Sequence, residues 1–190
     1  MNQDVHDAIL RLVRERGLEH RDDAFQLSSG EWSHDYIDAK RAVSNGADLT
    51  LVCNALITLA KDHGVTFEAV GGMTMGADAL THGVSMLSNC DWFTVRKDAK
   101  AHGKRRSIEG CDVDGRSVML LDDVVTTGGS IIRALDALEE QGARVTLASC
   151  LVVRSPRPLE SFEARNVPLA PLLTWQDLGI DAVGEGRVST

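Results

Sequence analysis

The chain has 190 residues, 43% of them hydrophobic and 25% charged, the balance of an ordinary globular protein, which excludes a wholly disordered or collagen-like chain. Twenty Lys and Arg stand against 28 Asp and Glu, a formal charge of −8. An acidic chain repels phosphate backbones, so broad nucleic-acid binding is excluded unless basic residues gather locally. Cys53, Cys90, Cys111 and Cys150 are widely spaced with no CxxC pair and read as thiols of a reducing compartment, not as a disulfide framework. The opening MNQDVHDAIL has neither the basic start nor the apolar run of a secretory leader. No segment approaches the roughly 18 apolar residues of a membrane span. The expectation is a single cytoplasmic domain over residues 1–190, with no membrane or nucleic-acid partner.

Val5, Ile9, Leu12 and Val13 recur at helical spacing and predict an amphipathic helix that stops near Gly17. After a polar stretch, residues 25–27 and 35–38 read as two short strands around the turn Ser28-Ser29-Gly30. Residues 46–63 predict a second helix, with Leu49, Val52, Leu56 and Leu59 on its buried side and Gly64 as its stop. Strands and helices then alternate: a strand at 67–70, a helix at 75–86, strands at 92–95 and 118–121, a helix at 130–141 and a strand at 145–153. A helix-like segment surrounds Phe162, and 169–173 reads as an edge strand. Continuous apolar strands such as 118–121 suit a sheet covered on both faces, and alternation with helices implies mainly parallel pairing. The predicted fold class is α/β, a mainly parallel central sheet flanked by helices, with a small N-terminal appendage over residues 1–45.

One segment breaks the alternation. Residues 96–110, RKDAKAHGKRRSIEG, are dense in lysine and arginine and carry no apolar periodicity. A charge run of this kind usually forms a solvated surface loop. In a chain of net −8, its concentration also suits a highly anionic small molecule.

The most informative stretch is 118–134, VMLLDDVVTTGGSIIRA. An apolar strand delivers Asp122 and Asp123 at its C-terminal end, and Thr126-Thr127-Gly128-Gly129-Ser130 turns directly into a helix. This end of an open α/β sheet is where ligands bind. Glycines let the backbone approach closely, the hydroxyls add donors, and the helix start presents unpaired N–H groups, together a cradle for a monophosphate. The acidic pair repels phosphate and must serve something adjacent, either ribose hydroxyls or a divalent cation. Side chains alternate along a strand, so one carboxylate is expected to meet the sugar and the other to orient the loop from below. No GxxxxGK[ST] or GxGxxG occurs, which excludes the usual triphosphate and dinucleotide loops. A second glycine-rich turn, GGMTMGA at 71–77, also follows a strand, and either a second phosphate-facing backbone or tight strand–helix packing accounts for it.

Together these residues resemble a known family. LLDDVVTTGGS at 120–130 is similar to the phosphoribosyl pyrophosphate (PRPP) signature of type I phosphoribosyltransferases. VRKDAKAHGKRRSIEG at 95–110 looks like the catalytic loop of the orotate phosphoribosyltransferases, with LSSGEWSHDYID at 27–38 and GGMTMGADAL at 71–80 in further agreement. The resemblance implies a Mg²⁺-dependent transfer of the phosphoribosyl group from PRPP to orotate, in pyrimidine biosynthesis, by the fold named above. It implies that Asp122, Asp123, Val124, Val125, Thr126, Thr127, Gly128, Gly129 and Ser130 hold the ribose 5-phosphate. Arg96, Lys97, Lys100 and His102 would close catalytically over the pyrophosphate. Thr126, Arg154, Tyr36 and Ile37 would face orotate. Mg²⁺ would be held mainly through PRPP oxygens, with Asp122 or Asp123 as the protein's contribution, and the loop shared between subunits implies a homodimer. Two positions depart from the pattern. Ser28 stands where enteric-type enzymes carry a lysine, and the family's Asp-Arg-x-x-Gly reads Val153-Arg154-Ser155-Pro156-Arg157, which sets Arg157 beside Arg154 as a candidate for the base's carboxylate. A phosphoribosyltransferase for another base, and a non-catalytic PRPP or nucleotide sensor on the same fold, are the alternatives.

Overall fold

The structure, a computed structural model, describes residues 1–97 and 107–184. Helix α1 (Gln3–Leu12) is capped by the Asn2 side chain, which accepts from the Asp4 N–H. It ends in a π turn over Val13–Gly17, so the predicted stop near Gly17 is reached through a widened last turn. Strands β1 (Leu18–Gln26) and β2 (Trp32–Ile37) form an antiparallel hairpin. The polar stretch before Phe25 is therefore strand and not loop. The hairpin is a sheet of two strands with much of β1 open to water, so no apolar alternation marked it in the sequence. The short helix α2 (Ala39–Ala42) and the long α3 (Gly46–Asp62) follow, capped by Asp38 and Asn45.

The main sheet runs β3 (Ala69–Met73), β4 (Asp91–Val95), β5 (Ile108–Gly110), β6 (Ser117–Val125), β7 (Arg144–Val153) and β8 (Leu169–Thr174), in the spatial order β5-β4-β3-β6-β7-β8. Every pairing is parallel except β4 with β5. Helices α4 (Asp78–Ser88), α5 (Gly129–Glu140), α6 (Arg157–Glu163) and α7 (Trp175–Leu178) complete the chain. The predicted edge strand at 169–173 is β8, at the sheet's end. Strand β5 went unforeseen because three residues beside a charge run carry no readable period.

The apolar run of β6 is continuous because the sheet is covered on both faces. Met119 and Leu121 pack in one cluster with α1, α3 and α4 through Ile9, Val52, Leu56 and Leu80. Val118 and Leu120 pack in the other with α5 through Ile131, Leu135 and Leu138, and with Phe162 of α6. Helix α1 thus belongs to the body, and of the predicted appendage the β1–β2 hairpin has a sheet of its own. Strand β3 starts at Ala69, two residues later than predicted, and runs through both glycines. A Cβ on Gly72 would lie 1.9 Å from the Leu121 carbonyl oxygen and 2.6 Å from Ala77 Cβ. The Gly71-Gly72 pair is accordingly a packing device between strands, and the turn proper is 74–77, which delays α4 to Asp78. Among the described residues, no helix is long and apolar enough to cross a membrane.

Candidate active site

The C-terminal end of β6 carries the site. Beyond Val125 the chain turns at Gly128, whose φ of +85° is strained for any residue with a Cβ, and enters the 12-residue α5. Thr126, Thr127, Gly128, Gly129 and Ser130 line a mostly polar cavity at that helix start, where unpaired N–H groups and the helix dipole favour an anion. Three residues missed in the sequence join it. Ser28 and Ser29 come from the β1–β2 turn, and Arg133 of α5 donates to the Ser130 hydroxyl at 3.3 Å. Arg133 follows Ser130 by three positions, one helical turn, and that spacing was the available signal.

Asp122 and Asp123 divide as the strand period dictates: Asp122 lines the polar cavity, and Asp123 lines the neighbouring one. Their backbone is locally self-bonded, with Asp122 Oδ1 accepting from the Asp123 N–H at 3.0 Å and Asp123 Oδ1 accepting from the Val124 N–H at 2.8 Å. Lys40 Nζ lies 3.7 Å from Asp123 Oδ2. Burial, and then the charge of Asp123, push the Asp122 carboxyl up to about 8, with Lys40 pulling weakly the other way. A carboxyl held this way favours its neutral form near pH 7. With the folded value raised above the unfolded one, its contribution to stability is complete below about pH 4 and fades as pH rises toward 8. The expected result is that the ligand-free protein melts progressively lower than Asp122→Asn between pH 5 and 8, read as the gap between their Tm values. A gap that does not grow with pH would overturn this.

The second cavity lies under the hairpin. Tyr36 and Ile37 of β2 line it with Phe25, Arg21, Thr126 and Arg154. Tyr36 is exposed and meets the Phe25 ring edge-on at 6.2 Å, with the Arg21 guanidinium 4.5 Å above Phe25. Arg154 is 1% exposed. It donates from Nη1 to the Asp35 carbonyl at 2.8 Å and from Nη2 to Ser33 Oγ at 3.1 Å, tying β2 to the end of β7. Its Nε has no partner, and burial draws the guanidinium below its ordinary value. Arg157 instead reaches Glu31 at 3.3 Å and does not line this cavity. Of the altered motif after Val152, Arg154 is the residue the fold delivers to the site.

The two cavities adjoin, since Ser28, Val124 and Thr126 line both. Val125 also lines the polar cavity, with its side chain largely buried, and its carbonyl accepts from the Arg154 N–H at 2.8 Å. At the end of β4, Arg96 pairs with Glu109 at 3.2 Å and Lys97 is exposed. Lys100 and His102 lie outside the described residues.

Among the described residues no group of three or more His, Cys, Asp or Glu side chains could hold a metal ion. The two adjacent carboxylates do fit Mg²⁺ in its usual mode, which takes one or two carboxylates, water and substrate phosphate oxygens.

The phosphoribosyl transferase domain family matches residues 78–176. The orotate phosphoribosyltransferase of Streptomyces avermitilis is 37% identical, covering 94% of this chain and 99% of that protein. That of Aquifex aeolicus is 34% identical, covering 90% and 96%. The crystal structure of the Mycobacterium tuberculosis orotate phosphoribosyltransferase with Fe(III) dicitrate superposes with a TM-score of 0.77 at 31% identity, covering 93% of this chain and 99% of that one. The same enzyme has been solved with PRPP, at a TM-score of 0.75. With relatives this similar along nearly its whole length, the chain belongs to the orotate phosphoribosyltransferases, within the phosphoribosyltransferase family.

Proposed function

We propose that the two adjoining cavities bind PRPP and orotate side by side, and that the chain transfers the phosphoribosyl group between them in pyrimidine biosynthesis. A bond forms from a ring nitrogen of orotate to C1 of the ribose, the C1–O bond to the diphosphate breaks, and the nitrogen's proton is released. Orotidine 5′-phosphate and pyrophosphate leave. The observation that carries this reading is the shared wall: Thr126 and Val124 border the phosphate cradle on one side and the hairpin-covered cavity on the other, so a sugar held by its 5-phosphate presents C1 to the base.

The roles follow from charge. Residues 126–130 hold the 5-phosphate, and Asp122 and Asp123 hold the ribose hydroxyls. Tyr36, Ile37, Thr126 and Arg154 face the base. The transition state gains positive charge on the sugar and negative charge on the departing diphosphate. Cations fixed near the diphosphate therefore stabilise the transition state more than the ground state. Arg96, Lys97, Lys100 and His102 supply them. Mg²⁺, when bound, adds positive charge at the diphosphate and ribose oxygens. The exposed Met86 and Leu87 of α4 and Trp92 of β4 offer apolar surface that supports a homodimer in which the segment after β4 serves a neighbouring site.

The deciding experiment is a base panel. PRPP- and Mg²⁺-dependent loss of orotate absorbance, abolished by a chelator and restored by Mg²⁺, is the expected result. Turnover of uracil or a purine with none of orotate would reassign the base. Tight PRPP binding without turnover of any base would make the chain a sensor.

A further inference from the structure

The loop at 71–80, GGMTMGADAL, contains no lysine or arginine, and its most exposed large side chain is Met75, 74% exposed. Its acidic residue, Asp78, accepts from the Thr74 hydroxyl at 2.9 Å. This loop nonetheless runs against the acidic pair, for a Cβ on Gly76 would lie 2.9 Å from Asp123 Oδ1 and 3.1 Å from Asp122 Oδ1. On the proposed function, a diphosphate leaving a ribose held by those carboxylates meets acidic and neutral surface at this corner. From the body of the protein, the answer has to come from another element.

That element is α2. A small hollow between α2, the loop and β6 is lined by Ala39, Lys40, Gly76, Ala79 and Asp123 among others, and among its described residues Lys40 carries the positive charge. Lys40 Nζ sits 3.7 Å from Asp123 Oδ2, longer than a hydrogen bond, and its side chain is 58% exposed. An ion pair this open is worth little, so the ammonium can be re-aimed at small cost. Its flexible four-carbon stem suits that role. We infer that Lys40 is a diphosphate-binding residue of the body, which leaves Asp123 for the pyrophosphate group of PRPP when substrate enters. The inference deepens the proposed function and rests on that reading for the identity of its anion.

The test uses Lys40→Ala and Lys40→Arg in the full chain. Binding of Mg²⁺-pyrophosphate, of PRPP and of orotidine 5′-phosphate is measured by calorimetry, together with the KM for each substrate. The expected result is that Lys40→Ala weakens pyrophosphate and PRPP at least tenfold, leaves orotidine 5′-phosphate and the KM for orotate within twofold, and that Lys40→Arg recovers most of the loss. Equal weakening of all three ligands would assign Lys40 a structural role through Asp123 and overturn the inference, as would pyrophosphate binding within twofold of the parent. Lys40→Gln, with Tm recorded beside it, serves if the alanine variant fails to fold. A parent protein that binds pyrophosphate but consumes no orotate would sink the proposed function and leave the Lys40 comparison intact.

Discussion

Lys100→Ala is expected to lower kcat for PRPP-dependent orotate consumption by about 10²–10³, the scale for removing one preorganised group from developing negative charge. Heterolysis at C1 places a growing charge on the diphosphate that solvent would otherwise have to reorganise around. In the proposed mechanism a lysine of the RKDAKAHG segment meets that charge as it develops. Because the interaction strengthens toward the transition state, kcat should fall much more than KM for PRPP rises. Steady-state kinetics at saturating orotate separates the two parameters. A loss below about threefold would remove Lys100 from the mechanism. A loss confined to KM would make it a ground-state contact and transfer the burden to Arg96, Lys97 or His102.

The largest expected effect on folding comes from Gly72→Ala. The new methyl group would sit 1.9 Å from the Leu121 carbonyl oxygen and 2.6 Å from Ala77 Cβ. Both obstacles are set by backbone, one of them in the central strand β6, so no side chain can swing aside. Overpacking of that kind costs about 3 kcal/mol or more, which in a domain of this size lowers Tm by about 6–12 °C. Gly46→Ala at the start of α3, where a Cβ meets nothing within 4 Å, is the matched control and should change Tm by no more than about 2 °C. Thermal denaturation of the two variants checks the pair. Equal melting would mean that β3 and β6 can separate without loss, against the buried register Gly72↔Leu121.

Several parts of the fold were readable because one physical cause dominated each. The apolar run 118–121 could lie only in a strand covered on both faces, and it is the middle of β6. The spacing of Leu49, Val52, Leu56 and Leu59 set α3, and the stop at Gly64 lies just beyond the observed Gly46–Asp62. Other parts had no local cause to read. Strand β1 exists because β2 pairs with it, and β5 because β4 does. The meaning of Gly71-Gly72, open in the sequence, was decided by the structure. Glycine after a strand looks the same whether it makes room for phosphate or for a neighbouring carbonyl, and only the position of Leu121 decides.

The site divides along the same line. Its phosphate cradle and acidic pair occupy nine consecutive positions from Asp122 to Ser130, and contiguous chemistry on a strand–turn–helix unit is legible in one dimension because local geometry alone assembles it. The burial of Arg154 under Ser33 and Asp35, the diversion of Arg157 to Glu31, and the approach of Lys40 to Asp123 join residues 83 to 126 positions apart, and the base cavity likewise draws together the hairpin and the ends of β6 and β7. No spacing encodes such meetings. They arise when the hairpin closes over the end of the sheet, and the packing that brings it there is a property of the whole chain.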